Sequence, residues 1–288
     1  MKITATPFLL PMPKLLLKKK GNCSLTAHPI SIYIVGQSSP LLFTAQNLKK
    51  HLKDILHLDA QIIPTIEEAN DGINLCIVAT KDSYHLEIYG SKIKISASNE
   101  EGIFQGVQTV KQLFTQYGTH LPQLIIKDSP AFSLRGFYHD VTRGKVPTLD
   151  TLKELVIKMS HYKLNHLQLY VEHTFAFQSI PELWVDKDPL TAEEILELDE
   201  FAAKHFVELV PSLSTFGHLY GLLRLPRFEH LNELDIKGSQ LPFMLNGCYT
   251  LDVSQKESFS VVQKMLKEFI PLFKSKQFNI CCDETFDL

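Results

Sequence analysis

Leu134-Arg135-Gly136-Phe137-Tyr138-His139-Asp140-Val141 opens the part of the chain in which short strand-like runs alternate with helical stripes. Gly136 to Val141 reads as a strand, and Leu152, Leu155, Val156 and Met159 then recur at helical spacing before a second strand at Leu167 to Val171. Thr191-Ala192-Glu193-Glu194 is a capping box, opening a helix with Ile195, Leu198, Ala202 and His205 on one face and a third strand at Val207 to Ser212 after it. A second box, Ser254-Gln255-Lys256-Glu257, predicts a helix through Val262, Met265, Leu266, Phe269 and Phe273, followed by a fourth strand at Phe278 to Cys282. Repeated strand-helix units predict a parallel sheet with helical crossovers, either an open doubly wound sheet or part of an eight-stranded barrel.

Upstream the grammar differs. Ile30 to Val35 reads as a strand, and Leu48, Leu52, Ile55 and Leu56 form the apolar face of a helix spanning Leu41 to Leu56. Asn74 to Ala79 reads as a buried strand, and Tyr84 to Tyr89 and Lys92 to Ala97 as a hairpin around Gly90-Ser91. Val107, Val110, Leu113 and Phe114 predict a second amphipathic helix. The expected organisation is a weakly ordered tail over residues 1–27, a small α/β domain over 28–128 closing near Asp128-Ser129-Pro130, and a second domain over 129–288. His51, His57 and His85 lie on polar or mixed segments without metal-ligand spacing and read as surface residues.

The chain has 288 residues, 44% hydrophobic and 21% charged, a balance that fits a folded protein of about two domains. Its net charge of −3 supplies no broad positive field, which disfavours a nucleic-acid partner. No apolar stretch reaches the roughly 20 residues needed to cross a bilayer, so no membrane span is expected. The N-terminal Phe8-Leu9-Leu10-Pro11 run lacks the layout of a secretion signal. Five cysteines, an odd number with Cys281 and Cys282 adjacent, argue against a disulfide framework, and cytoplasm is the expected compartment.

The strand-end loops carry the chemistry. No Gly-rich turn follows the first strand, so a dinucleotide or P-loop site lacks its phosphate cradle. Asp140 and Arg143, Glu172 and His173, His218, then Asp283 and Glu284 instead gather just beyond the C-terminal ends of the strands, where barrel enzymes place their sites. Adjacent carboxyls repel one another, a cost a fold has little reason to bear; one can serve as a proton donor while the other stays ionised, as glycosidic cleavage requires. A solvated strand end remains the alternative. Cys281 and Cys282, without ligand spacing, read as small core residues rather than a metal site.

These segments resemble glycoside hydrolase family 20, the β-N-acetylhexosaminidases. Asp128 to Phe137 with Asp140-Val141-Thr142-Arg143 is similar to that family's entry into its barrel, and Lys163-Leu164-Asn165 to the approach to its second strand. Phe216-Gly217-His218 looks like the loop carrying the family histidine, and Asp283-Glu284 stands where its acid pair belongs. The resemblance covers about residues 28 to 288 and implies an α/β fold, a small N-terminal domain followed by a truncated (β/α)8 TIM-type barrel with about four strands.

The resemblance also implies a reaction: exo-acting hydrolysis of terminal β-linked N-acetylglucosamine or N-acetylgalactosamine, in which the substrate's own acetamide oxygen attacks the anomeric carbon. Glu284 would be the general acid and then base, Asp283 would orient the acetamide, and Arg135 would bind sugar hydroxyls. His218 and Glu172 would form a relay to Glu284. No metal or organic cofactor is implied, and the partners would be N-acetylhexosamine-containing glycans or glycosides. Cys281-Cys282 replaces the two glycines that many members place before the acid pair, and Tyr170 to Phe175 departs from the common second-strand loop. With about half of a barrel in this sequence, its open edge is expected to favour self-association, and a non-catalytic fragment with weak sugar or partner binding is the alternative to an active enzyme.

Overall fold

The computed structural model describes residues 6–36, 39–234, 249–285 and 288. By contacts the chain divides into two units, Met1–Ser133 with Ser160–Lys163, and Leu134–Met159 with Leu164–Leu288.

The first unit is a mixed seven-stranded sheet with two helices. Its elements are β1 (Leu15–Ser24), β2 (Ile30–Val35), α1 (Leu42–Leu56), β3 (Ala60–Thr65), β4 (Gly72–Ile77), β5 (Tyr84–Tyr89), β6 (Lys92–Ala97), α2 (Glu100–Tyr117) and β7 (His120–Asp128). The sheet order is β1-β7-β5-β6-β4-β2-β3. Strands β5 and β6 pair antiparallel across the hairpin, while β4 pairs parallel with β6 and β2. Alternating Ile30, Ile32 and Ile34 are buried, as are Leu48 and Leu52 of α1 and Val107, Val110, Leu113 and Phe114 of α2. Asn99 caps α2 by accepting a hydrogen bond from Gly102 N at 2.9 Å.

Residues 15–24, expected within a weakly ordered tail, instead form β1, antiparallel to β7 with Leu15 opposite Lys127 and Ser24 opposite His120. The run Leu15-Leu16-Leu17-Lys18-Lys19-Lys20 has no period-two alternation because most of this edge strand is exposed and backbone pairing holds it. His51, expected at the surface, is half-buried, and burial followed by the charges of Lys111 and His161 depresses its pKa to about 4.

In the second unit, β8 (Gly136–Asp140), β9 (His166–Val171) and β10 (Glu208–Leu213) form a parallel sheet in the order β10-β9-β8. Four helices follow the strands: α3 (Leu149–His161), α4 (Ala192–Lys204), the short α5 (Tyr220–Leu223) and α6 (Lys256–Phe269). Leu167, Leu169 and Val171 on one face of β9 join Leu209 and Leu213 of β10 and the apolar stripes of α3, α4 and α6 in one core. The opposite face is polar: Tyr138 OH lies 2.7 Å from Ser212 Oγ, which in turn lies 3.0 Å from Cys281 Sγ. Among the described residues β8 is paired only with β9, leaving Phe137 43% and Tyr138 50% exposed.

The capping box at Thr191 forms, with Glu194 N donating to Thr191 Oγ1 and Thr191 N to Glu194 Oε2. That at Ser254 does not; Ser254 N is drawn to Asp252 Oδ1 at 2.8 Å, and the N-cap of α6 is Gln255. Residues 278–282 lie beside β10 as expected of a fourth strand, but ladder pairing is confined to Asn279 opposite Ser212. The physical cause is local: Asn279 Oδ1 accepts from Cys281 N at 3.1 Å, and Cys281 adopts φ 45°, which ends the extended backbone. Cys281 is buried whereas Cys282, expected in the core, is exposed; Cys23, Cys76, Cys281 and Cys282 are free thiols.

No described helix is long and apolar enough to cross a membrane, and no described cluster of three or more His, Cys, Asp or Glu is arranged to hold a metal.

Candidate active site

Three consecutive strand ends and the C-terminal segment build the site. At the end of β8, Asp140 folds the turn that follows it: Oδ1 accepts from Thr142 N at 2.9 Å and Arg143 N at 3.0 Å, and Oδ2 takes Arg143 Nε at 2.6 Å. Burial pushes the Asp140 carboxyl up, but these backbone donors and the guanidinium outweigh it and hold its pKa below the ordinary value. Arg143 is thereby laid over the Tyr170 ring, 5.0 Å from its centroid.

Glu172 follows β9 and is only 2% exposed. Its backbone N donates to Thr142 Oγ1 at 3.0 Å, and its Oε1 accepts from Tyr170 OH at 2.8 Å. Burial raises its pKa to about 7, against the Tyr170 hydrogen bond and the Arg143 charge, which pull it down. A buried carboxyl titrating near neutrality is suited to proton handling.

The loop after β10 brings in His218. Nδ1 lies 3.6 Å from Glu172 Oε1, and Nε2 lies 3.2 Å from Glu284 Oε2. The imidazole therefore stands between a buried carboxyl and one that is 55% exposed. Burial lowers the His218 pKa, opposed by the charges of Asp283 and Glu284. The Tyr249 hydroxyl is hydrogen-bonded to the same imidazole, and Ser214 Oγ donates to Tyr170 OH at 3.2 Å.

The acid pair is positioned by close backbone packing. Thr215 Oγ1 donates to the Ile280 carbonyl at 2.6 Å, and a Cβ on Gly217 would lie 2.6 Å from the Asp283 carbonyl oxygen. His218, Cys281 and Glu284 have φ of 58°, 45° and 49°, left-handed conformations that non-glycine residues seldom adopt and that recur at functional sites.

The structure thus brings Glu172, His218 and Glu284 together, with Asp283 next in the chain. It does not bring Arg135. That residue precedes β8, where its backbone pairs with Asn165 at the start of β9; the strand, at about 3.3 Å per residue, separates it from the end bearing Asp140. Arg143 is the arginine held beside Asp140 at these strand ends. The RG-strand-D-x-x-R sequence offers two arginines, and the contacts of Arg143 with Asp140 and Tyr170 decide between them. Tyr249 carries no sequence signal, since its neighbours in space are 31 residues away along the chain.

The sequence profile of glycosyl hydrolase family 20, domain 2, matches residues 6–129, and that of glycosyl hydrolase family 20, catalytic domain, matches residues 132–287. The chain belongs to glycosyl hydrolase family 20. A similar member is the β-hexosaminidase of Vibrio furnissii, 27% identical over 98% of this chain and 49% of the relative. Human β-hexosaminidase subunit beta is 27% identical over 60% of this chain and 34% of its own length. The fold is similar to that of the family 20 exo-β-N-acetylglucosaminidase of Vibrio harveyi in complex with N-acetylglucosamine, with a TM-score of 0.80 at 20% identity over 99% of this chain and 48% of that one. Streptomyces plicatus N-acetyl-β-hexosaminidase in complex with Thio-NAglucal gives a TM-score of 0.78 at 20% identity, over 94% of this chain and 58% of that one. The family 20 chain described here thus spans about half the length of these bacterial relatives.

Proposed function

We propose that the protein is an exo-acting β-N-acetylhexosaminidase that removes terminal β-linked N-acetylglucosamine or N-acetylgalactosamine with retention of configuration. The observation that carries this reading is His218, whose two ring nitrogens face Glu172 and Glu284. In the first step the substrate's acetamide oxygen bonds to the anomeric carbon, the glycosidic bond breaks, and Glu284 gives its proton to the departing oxygen. In the second, water attacks the anomeric carbon, Glu284 takes the water's proton, and the oxazolinium ring reopens to the acetamide. Asp283 orients the acetamide and offsets the positive charge that develops on it.

Glu172 and His218 adjust the charge felt by Glu284 as its proton leaves and returns. Arg143, held by Asp140 at the mouth of the site, binds sugar hydroxyls in place of the Arg135 expected from sequence. The names of the relatives support the substrate class. The test is proton NMR of a β-N-acetylglucosaminide incubated with the chain: the first-formed free sugar is the β anomer, and initial release of the α anomer overturns retention.

A second reading is favoured by the pairing of only three strands in the catalytic unit among the described residues, together with the chain's span of about half its relatives. In that reading the chain binds a terminal N-acetylhexosamine weakly without cleaving it. Saturable binding of N-acetylglucosamine with no release of free sugar from a glycoside distinguishes it.

A further inference from the structure

The relay leaves one side of Glu172 unexplained. Oε1 is engaged by Tyr170 and faces His218, whereas Oε2 is buried without a hydrogen-bond partner. The atom facing Oε2 is His173 Nδ1, 3.7 Å away, and it too is buried without a partner. An unpartnered buried acceptor beside an unpartnered buried ring nitrogen is a matched pair standing just beyond hydrogen-bond length. The His173 ring is held on two further sides. It packs edge-to-face on Tyr220, with centroids 5.2 Å apart, and it lies so close to Gly221 that a Cβ there would stand 2.9 Å from His173 Cγ.

We propose that His173 is a second positioning histidine of this site, donating from Nδ1 to Glu172 Oε2 when that carboxyl is ionised, so that Glu172 is clamped between two imidazoles. The proposal deepens the relay reading, but its geometry stands independently of turnover. His218 faces the exposed acid; His173 stands at the other carboxylate oxygen and fixes the carboxyl's orientation and ionisation.

The other charged and titratable groups around this pair come from every packed element. Asp140 and Arg143 reach it electrostatically from the loop after β8, the former favouring protonation of Glu172 and the latter ionisation. Tyr170 lies on β9, Tyr249 is hydrogen-bonded to His218, and Glu172 acts on the ionisation of both Tyr220 and Tyr249. On the His173 side, burial and then the Lys187 charge disfavour the imidazolium. A neutral ring with its proton on Nδ1 is therefore the donor.

The experiment is NMR titration of the full chain carrying 13C-labelled Glu side chains and 15N-labelled His. In the unmodified protein His173 Nδ1 is protonated above pH 7; an unprotonated Nδ1 there overturns the proposal. His173→Phe, with thermal melting as a control for folding, raises the Glu172 midpoint by about one pH unit, a tenfold change in its acid constant. His173→Gln, whose amide can donate to the same oxygen, holds the midpoint within about 0.3 units of the unmodified protein. A midpoint unmoved by Phe, or moved equally by Gln, overturns it. Failure of the hydrolase reading is distinguished by the absence of sugar release, which these titrations do not measure.

Discussion

Gly217 lies directly against the backbone of Asp283: a Cβ built on it would stand 2.6 Å from the Asp283 carbonyl oxygen and 3.5 Å from that of Glu284. The obstacle is main chain, which cannot rotate aside as a side-chain tip would. Gly217→Ala is therefore expected to displace the acid pair. A misplacement near 1 Å can cost on the order of 100-fold in rate. Steady-state kinetics with a nitrophenyl β-N-acetylglucosaminide check this, and a variant with unchanged kcat contradicts the packing argument.

The two arginines make a paired prediction. Arg143 sits over Tyr170 and against Asp140, at the strand ends where the site is built, whereas Arg135 lies at the far end of β8. Arg143→Ala is expected to weaken substrate use by roughly 10–100-fold in kcat/KM, the scale of one or two charge-assisted hydrogen bonds. Arg135→Ala is expected to leave it within about twofold, any effect appearing in stability instead. The opposite ranking restores the role expected of Arg135 from sequence.

Glu172 gives the fold a specific pH dependence. Its pKa in the folded protein, about 7, is above the ordinary value of 4.5, so the folded state holds this proton more tightly than the unfolded chain does. Its stabilising contribution is full below pH 4.5 and is lost as pH rises through 7. Glu172→Gln keeps the neutral shape. The stability difference between variant and unmodified protein is expected to grow in the variant's favour by roughly 3 kcal/mol between those limits and then level off. Denaturant unfolding of both proteins across the range measures it; a difference independent of pH contradicts the assignment.

The strands and helices of the catalytic unit were legible because burial imposes a period. The strand read over Leu167 to Val171 forms as β9, and Thr191 with Glu194 marked a helix start that forms as written. The acid pair, His218 and Glu172 were legible from their order beyond successive strand ends. Other features were not. β1 is exposed and held by main-chain bonds, which leave no trace in side-chain pattern. The fourth strand is curtailed by an Asn279 side chain competing for the backbone. Arg143 was placed beyond the end of the first strand, but its seat over Tyr170 and against Asp140, like the contacts of Tyr249 and His173, depends on packing between side chains that no spacing reveals.

In the first unit, Gly102 sets two effects against each other. Alanine should stabilise a helix interior by roughly 0.5–1 kcal/mol relative to glycine. Its Cβ, however, would meet the Ser83 carbonyl oxygen at 2.1 Å and Ala97 Cβ at 2.6 Å. The steric term wins because one obstacle is the main-chain carbonyl of Ser83 and the other is Ala97, buried on β6, and neither can swing aside. Gly102→Ala is expected to destabilise by about 1–3 kcal/mol, the ordinary cost of overpacking. A raised melting temperature contradicts the close approach of α2 to Ser83 and Ala97.

Glu284, backed by His218 and Glu172, is the acid proposed to cleave a terminal β-linked N-acetylhexosamine. The most direct measurement is nitrophenol release from a nitrophenyl β-N-acetylglucosaminide by the 288-residue chain and by its Glu284→Gln variant under identical conditions. Turnover by the unmodified chain that falls by roughly 10²–10⁴-fold in the variant is the expected result. Equal rates in the two proteins, or no release by a chain shown to be folded, contradict it.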